Sequence, residues 1–167
     1  ENLVAKAKAL KEEGISVYCC CGAYGHPGPT ITGSISRDIM FVDEIIGLKL
    51  AVSDHRAPNI TVDELIRLGS DVRTAGMLSG KAGFVCLHMG GDDRALSPVF
   101  EALERTSIPV KTFQPTHVGR AKKLQEDAFK LAKMGGTIDF TCGQFEEKIK
   151  ELAASLRAAK EAGVPMD

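Results

Sequence analysis

The chain has 167 residues, enough for one domain with a hydrophobic core. Its 21 lysine and arginine residues nearly balance its 22 aspartate and glutamate residues, so the formal net charge is −1. This balance gives no overall field that would attract nucleic acid or anionic lipid, and no apolar run is long enough to span a membrane. We therefore expect neither a nucleic-acid partner nor a membrane partner.

The five cysteines include three consecutive ones, at positions 19 to 21. Consecutive residues of a strand face opposite sides of a sheet, so these cysteines fit neither a disulfide framework nor zinc-finger spacing. We interpret them as small core residues, which predicts a reducing, cytoplasmic setting. The chain starts at Glu1 inside a predicted helix and stops soon after Gly163, so we expect both ends to lie within a longer protein.

Hydrophobic periodicity predicts alternating helices and strands from the start of the chain. It predicts a helix at residues 2–13, which Gly14 ends, and a fully buried strand in the apolar run at residues 15–21. A loop rich in glycine and proline follows at residues 23–30. Residues 39–46 are compatible with a short helix or with a broken strand, and the pattern does not separate the two.

The alternation continues through the second part of the chain. Residues 47–56 are typical of a strand that runs into a polar loop, and Thr61 with Glu64 forms a capping-box pattern that opens the next helix. The pattern then predicts strands at residues 83–90, 110–117 and 137–141, and helices at residues 61–77, 93–105, 121–133 and 145–162.

About five alternations of strand and helix predict an α/β fold with parallel strands and right-handed crossovers. Two architectures fit: an open doubly wound sheet, and a (β/α)₈ TIM barrel with polar residues at the carboxyl ends of several strands. The glycine-rich loop lacks dinucleotide-binding spacing. Residue types suited to chemistry follow four strands, which favours the barrel: Tyr24, Lys49 with Arg56, His88, and His117 with Arg120.

A complete barrel takes about 250 residues, so five consecutive βα units predict a partial one. We accordingly interpret residues 1–167 as a fragment of a single catalytic barrel domain that lacks the first and last strands.

Lys49 stands out within its predicted strand. Leu48 and Leu50 face one side, whereas Lys49 faces the other side among small residues. Burial disfavours the charged form of an ammonium group, and a neutral amine can act as a nucleophile or a base, or can add carbon dioxide to become an oxygen ligand. The alternative is an edge strand whose lysine reaches water.

Lys49, His88 and His117 lie near the ends of three consecutive predicted strands. A single histidine at such a position is usually a hydrogen-bonded core residue. In a barrel, however, these three side chains would converge on one mouth, and neutral imidazoles suit zinc. The residues therefore predict a metal site.

The segments that carry these residues resemble the amidohydrolase superfamily: "GLKLAVSDHR", "CLHMGG" and "PTHVGR". Further segments resemble, in order and spacing, the bacterial isoaspartyl dipeptidases: "EEGIS", "GAYGHPGPTITGSI" and "GGTIDFT". The resemblance covers essentially the whole chain, and "TITGS" together with "SDHR" is specific within the superfamily.

This resemblance implies the hydrolysis of dipeptides in which aspartate is linked through its β-carboxyl group. It implies two zinc ions per active site, with Lys49 as a carbamylated bridge and with His88 and His117 as ligands of the second metal. It further implies that Tyr24 polarises the scissile carbonyl or stabilises the oxyanion. Arg56 and Arg120 would clamp a substrate carboxylate.

The chain departs from the family pattern in lacking the H-x-H pair that follows the first strand and the aspartate of strand eight. We therefore expect the parent protein to be an enzyme and the fragment alone to be inactive. We also expect the full-length protein to be a homo-oligomer. Two alternatives are a cyclic-amide hydrolase of the dihydroorotase or hydantoinase type, and a non-catalytic half-barrel remnant.

Overall fold

The computed structural model describes residues 2–57 and 59–166, and within them four strands alternate with six α-helices. The strands are β1 (Cys19–Gly22), β2 (Ile45–Val52), β3 (Phe84–Met89) and β4 (Phe113–Thr116). The helices are α1 (Asn2–Glu12), α2 (Ile35–Phe41), α3 (Val62–Ser79), α4 (Ser97–Arg105), α5 (Lys122–Lys133) and α6 (Glu146–Glu161).

The four strands form one parallel sheet in the order β1-β2-β3-β4. Each crossover contains a helix, as parallel strands require. Because consecutive strands are neighbours throughout, the sheet does not reverse its order as a doubly wound sheet does. The topology is that of a partial TIM barrel, as the sequence predicted.

The two faces of the sheet differ in how well they are covered. Residues of one face are buried with apolar residues of α2 to α5 in a single core that includes Leu48, Leu50, Val85, Leu87 and Phe113. The opposite face carries side chains that stay partly exposed: Cys20, Lys49, Cys86, Gln114 and Thr116. Helices on one face only are expected of a barrel wall, whose other face points inward.

A local sequence signal explains where helix α3 begins. Thr61 accepts a hydrogen bond from the backbone of Glu64, and the Glu64 side chain accepts one from the backbone of Thr61, so the predicted capping box opens α3. Among the described residues, no helix combines the length and apolar character needed to cross a membrane.

Two strand predictions near the start of the chain need correction. β1 begins at Cys19 because its partner β2 begins at Ile45, the residue opposite Cys19, and the apolar residues Ile15 and Tyr18 are exposed. Residues 39–46, which fitted either a helix or a strand, contain both: α2 ends at Phe41 and β2 begins at Ile45.

The strand predicted at residues 137–141 is wrong. This segment has no regular secondary structure and makes only two backbone hydrogen bonds to the end of β4. The Asp139 amide donates to the Pro115 carbonyl at 3.0 Å, and the Val118 amide donates to the Asp139 carbonyl at 3.1 Å. His117, between these partners, has a left-handed backbone (φ 64°), which interrupts the extended chain and confines the pairing.

Candidate active site

The carboxyl ends of the four strands bring together five of the six predicted site residues. Tyr24 follows β1 and Arg56 follows β2. His88 is the second-to-last residue of β3, and both His117 and Arg120 follow β4. The register explains the convergence, since His88 lies opposite Ala51 of β2 and opposite Thr116 of β4.

His88 is the centre of this cluster and is only 5 % exposed. Its ring lies 4.4 Å from the Tyr24 ring and 4.5 Å from the His117 ring, measured between centroids. The Arg56 guanidinium lies over the Tyr24 ring at 5.4 Å from its centroid. The carbonyl of Tyr24 accepts a 2.8 Å hydrogen bond from the Ala51 amide, which fixes the loop after β1 against β2.

Two guanidinium groups meet the Nε2 atom of His88. Arg56 Nη2 lies 2.7 Å from it and Arg120 Nη1 lies 2.9 Å from it. Because arginine can only donate, Nε2 accepts both bonds and the proton of the neutral ring is on Nδ1. Burial, reinforced by Arg120, lowers the pKa of His88 from 6.5 to about 4, so the ring is neutral at pH 7.

Asp54 is a functional candidate that the sequence analysis missed. Its carboxylate is buried, with 3 % of the residue exposed, and accepts hydrogen bonds from Arg56 N at 2.8 Å, Nε at 2.9 Å and Nη2 at 2.7 Å. These bonds hold the pKa of Asp54 well below its usual range despite burial. The available signal was an acidic residue two positions before an arginine in the loop that directly follows a strand.

The turn that carries Asp54 is fixed by close packing. Ser53 has a left-handed backbone (φ 52°), and its hydroxyl donates to the Ala95 carbonyl at 2.9 Å. A Cβ atom on Gly90 would lie 2.1 Å from the Ser53 carbonyl oxygen and 2.4 Å from the Asp54 Cα. Only glycine therefore fits at position 90, directly after β3, and its backbone supports the turn after β2.

His117 is held by its own hydrogen bond at the end of β4. Its Nδ1 atom pairs with the Thr141 hydroxyl, and this contact belongs to the segment that was predicted as a fifth strand. Burial first, and Arg120 second, lower the pKa of His117. The neutral form of this imidazole is therefore favoured as well.

Lys49 lies on the same face of the sheet as His88. It is two residues before Ala51, the partner of His88, and is therefore closer to the middle of the sheet. Its Nζ atom lies 3.4 Å from the Cys86 sulfur, opposite it on β3. β2 lies between β1 and β3, so the edge-strand alternative is excluded. The structure thus places Lys49 below the cluster of Tyr24, His88 and His117, without a hydrogen bond to either histidine among the described residues.

The side chains of the cluster meet only part of the requirements of a metal ion. Within residues 2–57 and 59–166, no three His, Cys, Asp or Glu side chains are arranged to hold one. The two neutral imidazoles nevertheless have the protonation state that zinc requires. The lone pair of His88 Nε2 accepts from two guanidinium groups, so a zinc ion bound there would replace these two contacts. The residues fit part of a zinc site.

A cleft of about 360 Å³ opens beside the cluster. Its lining includes His117, Arg120, Phe140 and Leu152. This volume lies at the lower end of the range for small-molecule sites. The cleft is thus large enough for a small ligand next to both a histidine and an arginine of the cluster.

Comparisons with solved structures find similarity to a dipeptidase. No family model matches it. It is 42 % identical to the β-aspartyl dipeptidase of the thermophilic, keratin-degrading Fervidobacterium islandicum AW-1 in complex with a β-Asp-Leu dipeptide, with a TM-score of 0.91. A second structure of the dipeptidase from that organism is 40 % identical, with a TM-score of 0.88.

Each match covers 98 % of this chain but only 44 % of the dipeptidase chain. At this identity over nearly every residue, the similarity extends to sequence and not only to fold. The chain is thus similar, over almost its whole length, to a fragment of β-aspartyl dipeptidase, which confirms the resemblance that its sequence motifs predicted.

Proposed function

We propose that the chain is part of a zinc-dependent β-aspartyl dipeptidase, and that its cluster of Tyr24, Arg56, His88, His117 and Arg120 forms part of the active site. The observation that carries the proposal is the 42 % identity, over 98 % of the chain, to a dipeptidase in complex with β-Asp-Leu. That similarity coincides with a polar cluster around the buried His88, at the carboxyl ends of the strands, where barrel enzymes have their active sites.

His88 and His117 would hold zinc through neutral imidazole nitrogens, and Lys49, once carbamylated, would provide an oxygen ligand. A zinc site of this kind supplies a hydroxide nucleophile at neutral pH. The Thr141 hydroxyl keeps the His117 ring in place, because it occupies Nδ1 and leaves Nε2 available.

Arg56 and Arg120 would bind and orient the substrate through a carboxylate. Their side chains are 45 % and 38 % exposed, so part of each is open to solvent, while Arg56 Nη2 and Arg120 Nη1 contact the buried His88. Arg120 Nη1 also donates to the Met89 carbonyl at 2.8 Å, which fixes the guanidinium against β3. Planar guanidinium groups suit bidentate binding of a carboxylate.

Tyr24 would hydrogen-bond the carbonyl oxygen that becomes negatively charged during hydrolysis. Its phenol stands beside His88 and is 36 % exposed, so its hydroxyl can reach a bound substrate. Donors fixed in advance near a developing oxyanion are an efficient source of rate acceleration.

Activity would require the remainder of the protein. The described part of the chain provides only two side chains of this site that bind zinc without modification, His88 and His117, whereas hydrolytic zinc sites have three protein ligands plus water. We propose that the 167-residue chain alone is inactive, and that the full-length protein is a cytoplasmic homo-oligomer.

The test is to purify the full-length protein and measure its turnover of β-Asp-Leu, α-Asp-Leu and dihydroorotate. We expect selective hydrolysis of β-Asp-Leu, loss of turnover after chelation, and recovery with Zn²⁺. Turnover of the cyclic amide instead would favour the cyclic-amide hydrolase, and no turnover of any of the three would favour the non-catalytic remnant.

A further inference from the structure

We propose that Asp54 is a positioning residue: it aligns Arg56 and leaves the arginine pair with one uncompensated positive charge for a substrate carboxylate. This inference rests on the proposed function. Asp54 does not itself face the open mouth, since it is 3 % exposed, so it would act through Arg56.

The first argument is geometric. Both carboxylate oxygens of Asp54 are used: Oδ1 accepts from Arg56 N and Nε, and Oδ2 accepts from Nη2. This arrangement fixes the rotation of the guanidinium plane. Nη2 is shared between Asp54 and His88, and the remaining terminal nitrogen, Nη1, points away from this paired edge. A side chain that is 45 % exposed is thereby held in one orientation before substrate binds.

The second argument concerns charge. The groups around His88 Nε2 are two guanidinium cations and one carboxylate, with Asp54 Oδ2 at 3.3 Å from Nε2 and 3.9 Å from Arg120 Nη1. These three contacting groups together carry one net positive charge, which matches one carboxylate. Without Asp54, the two arginines would repel each other at the buried nitrogen that both contact.

The third argument comes from a comparison within the chain. Asp92 and Arg94, in the loop after β3, are two residues apart, as Asp54 and Arg56 are. Asp92 Oδ1 accepts from Arg94 N at 2.9 Å and from Arg94 Nε at 3.1 Å. The Asp92 side chain is 38 % exposed, however, and only one of its oxygens is engaged. The local turn therefore accounts for a monodentate contact. Burial and the second oxygen distinguish the Asp54 pair.

The experiment is a double-mutant cycle in the full-length protein with Asp54→Asn, Arg56→Met and the double variant. Initial rates are measured on β-Asp-Leu and on its two monoamides, one at each carboxylate. We expect Asp54→Asn to raise KM for β-Asp-Leu about tenfold with little change in kcat, because ground-state and transition-state binding are lost together. In the Arg56→Met background the same change should alter KM by less than about twofold.

Two controls separate positioning from folding. Asp92→Asn should leave KM and kcat unchanged, and zinc content should be the same in every variant. If Asp54→Asn does not fold, Arg56→Lys replaces it, since lysine keeps the charge but cannot form the two-pronged contact. It should also raise KM about tenfold.

Each other outcome overturns the inference. Additive losses in the two backgrounds, equal losses on all three substrates, or a lower KM in Asp54→Asn would each show that Asp54 does not align Arg56. An unchanged KM in Arg56→Lys would show the same. If the wild-type enzyme does not hydrolyse β-Asp-Leu at all, the proposed function fails, and the inference fails with it. Wild-type turnover without coupling overturns the inference alone.

Discussion

The imidazole rings of His88 and His117 meet edge to face, with centroids 4.5 Å apart and an interplanar angle of 67°. His88 belongs to β3, and His117 directly follows β4 in a left-handed conformation. Had His117 continued the strand, its side chain would alternate to the face opposite that of Thr116, which is paired with His88. The left-handed backbone instead allows two neighbouring strands to present their histidines to each other.

If both rings hold metal, replacing either should reduce zinc binding in the full-length protein. We expect His88→Ala and His117→Ala each to lower zinc content and to reduce turnover at least about a hundredfold, because loss of one ligand disrupts the site. Metal analysis and initial rates on β-Asp-Leu measure the two effects. His26→Ala, which changes an exposed loop histidine, is the control and should retain both. Full zinc occupancy in either variant would contradict the assignment.

Much of this site could be predicted from the sequence, because it depends on strand alternation. In parallel strands with a regular pleat, the face of Lys49 and the strand-end position of His88 follow from counting residues. The left-handed turn at His117 and the failure of residues 137–141 to form a strand depend on contacts between distant segments. Neither has a strong local signal.

Asp54 illustrates a different limit. A polar loop residue is normally solvated, and nothing in the sequence shows that the turn after β2 is buried. Its burial arises because Gly90, from the next crossover, packs directly on Ser53 and Asp54. The exposed Ile15 is the converse case, since its apolar character predicted burial that the short β1–β2 pairing does not provide.

The role of Gly90 can be tested against its neighbour Gly91. A methyl group at position 90 would collide with the backbone of Ser53 and Asp54, whereas a methyl group at position 91 meets nothing within 4 Å. We expect Gly90→Ala to destabilise the full-length protein by about 1–3 kcal/mol or more and to impair turnover, because the turn that holds Arg56 must move. Gly91→Ala should be neutral or slightly stabilising. Urea denaturation and initial rates measure both, and equal stabilities of the two variants would refute the packing argument.

The Lys49 prediction depends on the chemistry of the amine. In the full-length protein, Lys49→Ala should remove the bridge, and Lys49→Arg should not restore it, since arginine stays protonated and cannot form a carbamate. Both variants should lose zinc and turnover of β-Asp-Leu. Short carboxylic acids added to Lys49→Ala should partly restore activity by supplying an oxygen ligand. Near wild-type turnover in Lys49→Arg would be evidence against a bridging role.

The uncovered face of the sheet leads us to predict low stability or self-association of the 167-residue chain by itself. Cys20, Lys49, Cys86 and Gln114 on this face are partly exposed, and β1 has no strand neighbour on its outer side among the described residues. We expect a broad thermal transition, binding of a hydrophobic dye or self-association, because the face and the strand edge are available to other molecules. Calorimetry and sedimentation measure this. A sharp transition of a monomer at high temperature would contradict it.

Substrate recognition by Arg56 and Arg120 can be separated from chemistry in the full-length enzyme. A charge-assisted hydrogen bond to a carboxylate contributes about 1.5–3 kcal/mol, so Arg56→Met or Arg120→Met should lower kcat/KM for β-Asp-Leu at least about tenfold. Zinc content should not change. A substrate whose bound carboxylate is replaced by an amide has already lost this interaction, so the same substitutions should lower its kcat/KM much less.

Both arginines also bond to His88. If that structural contact were their only role, the substitutions would lower kcat/KM equally for the dipeptide and its two monoamides. Initial rates on the three substrates decide between these outcomes, and the monoamide that is insensitive to the substitutions identifies which carboxylate the arginines hold.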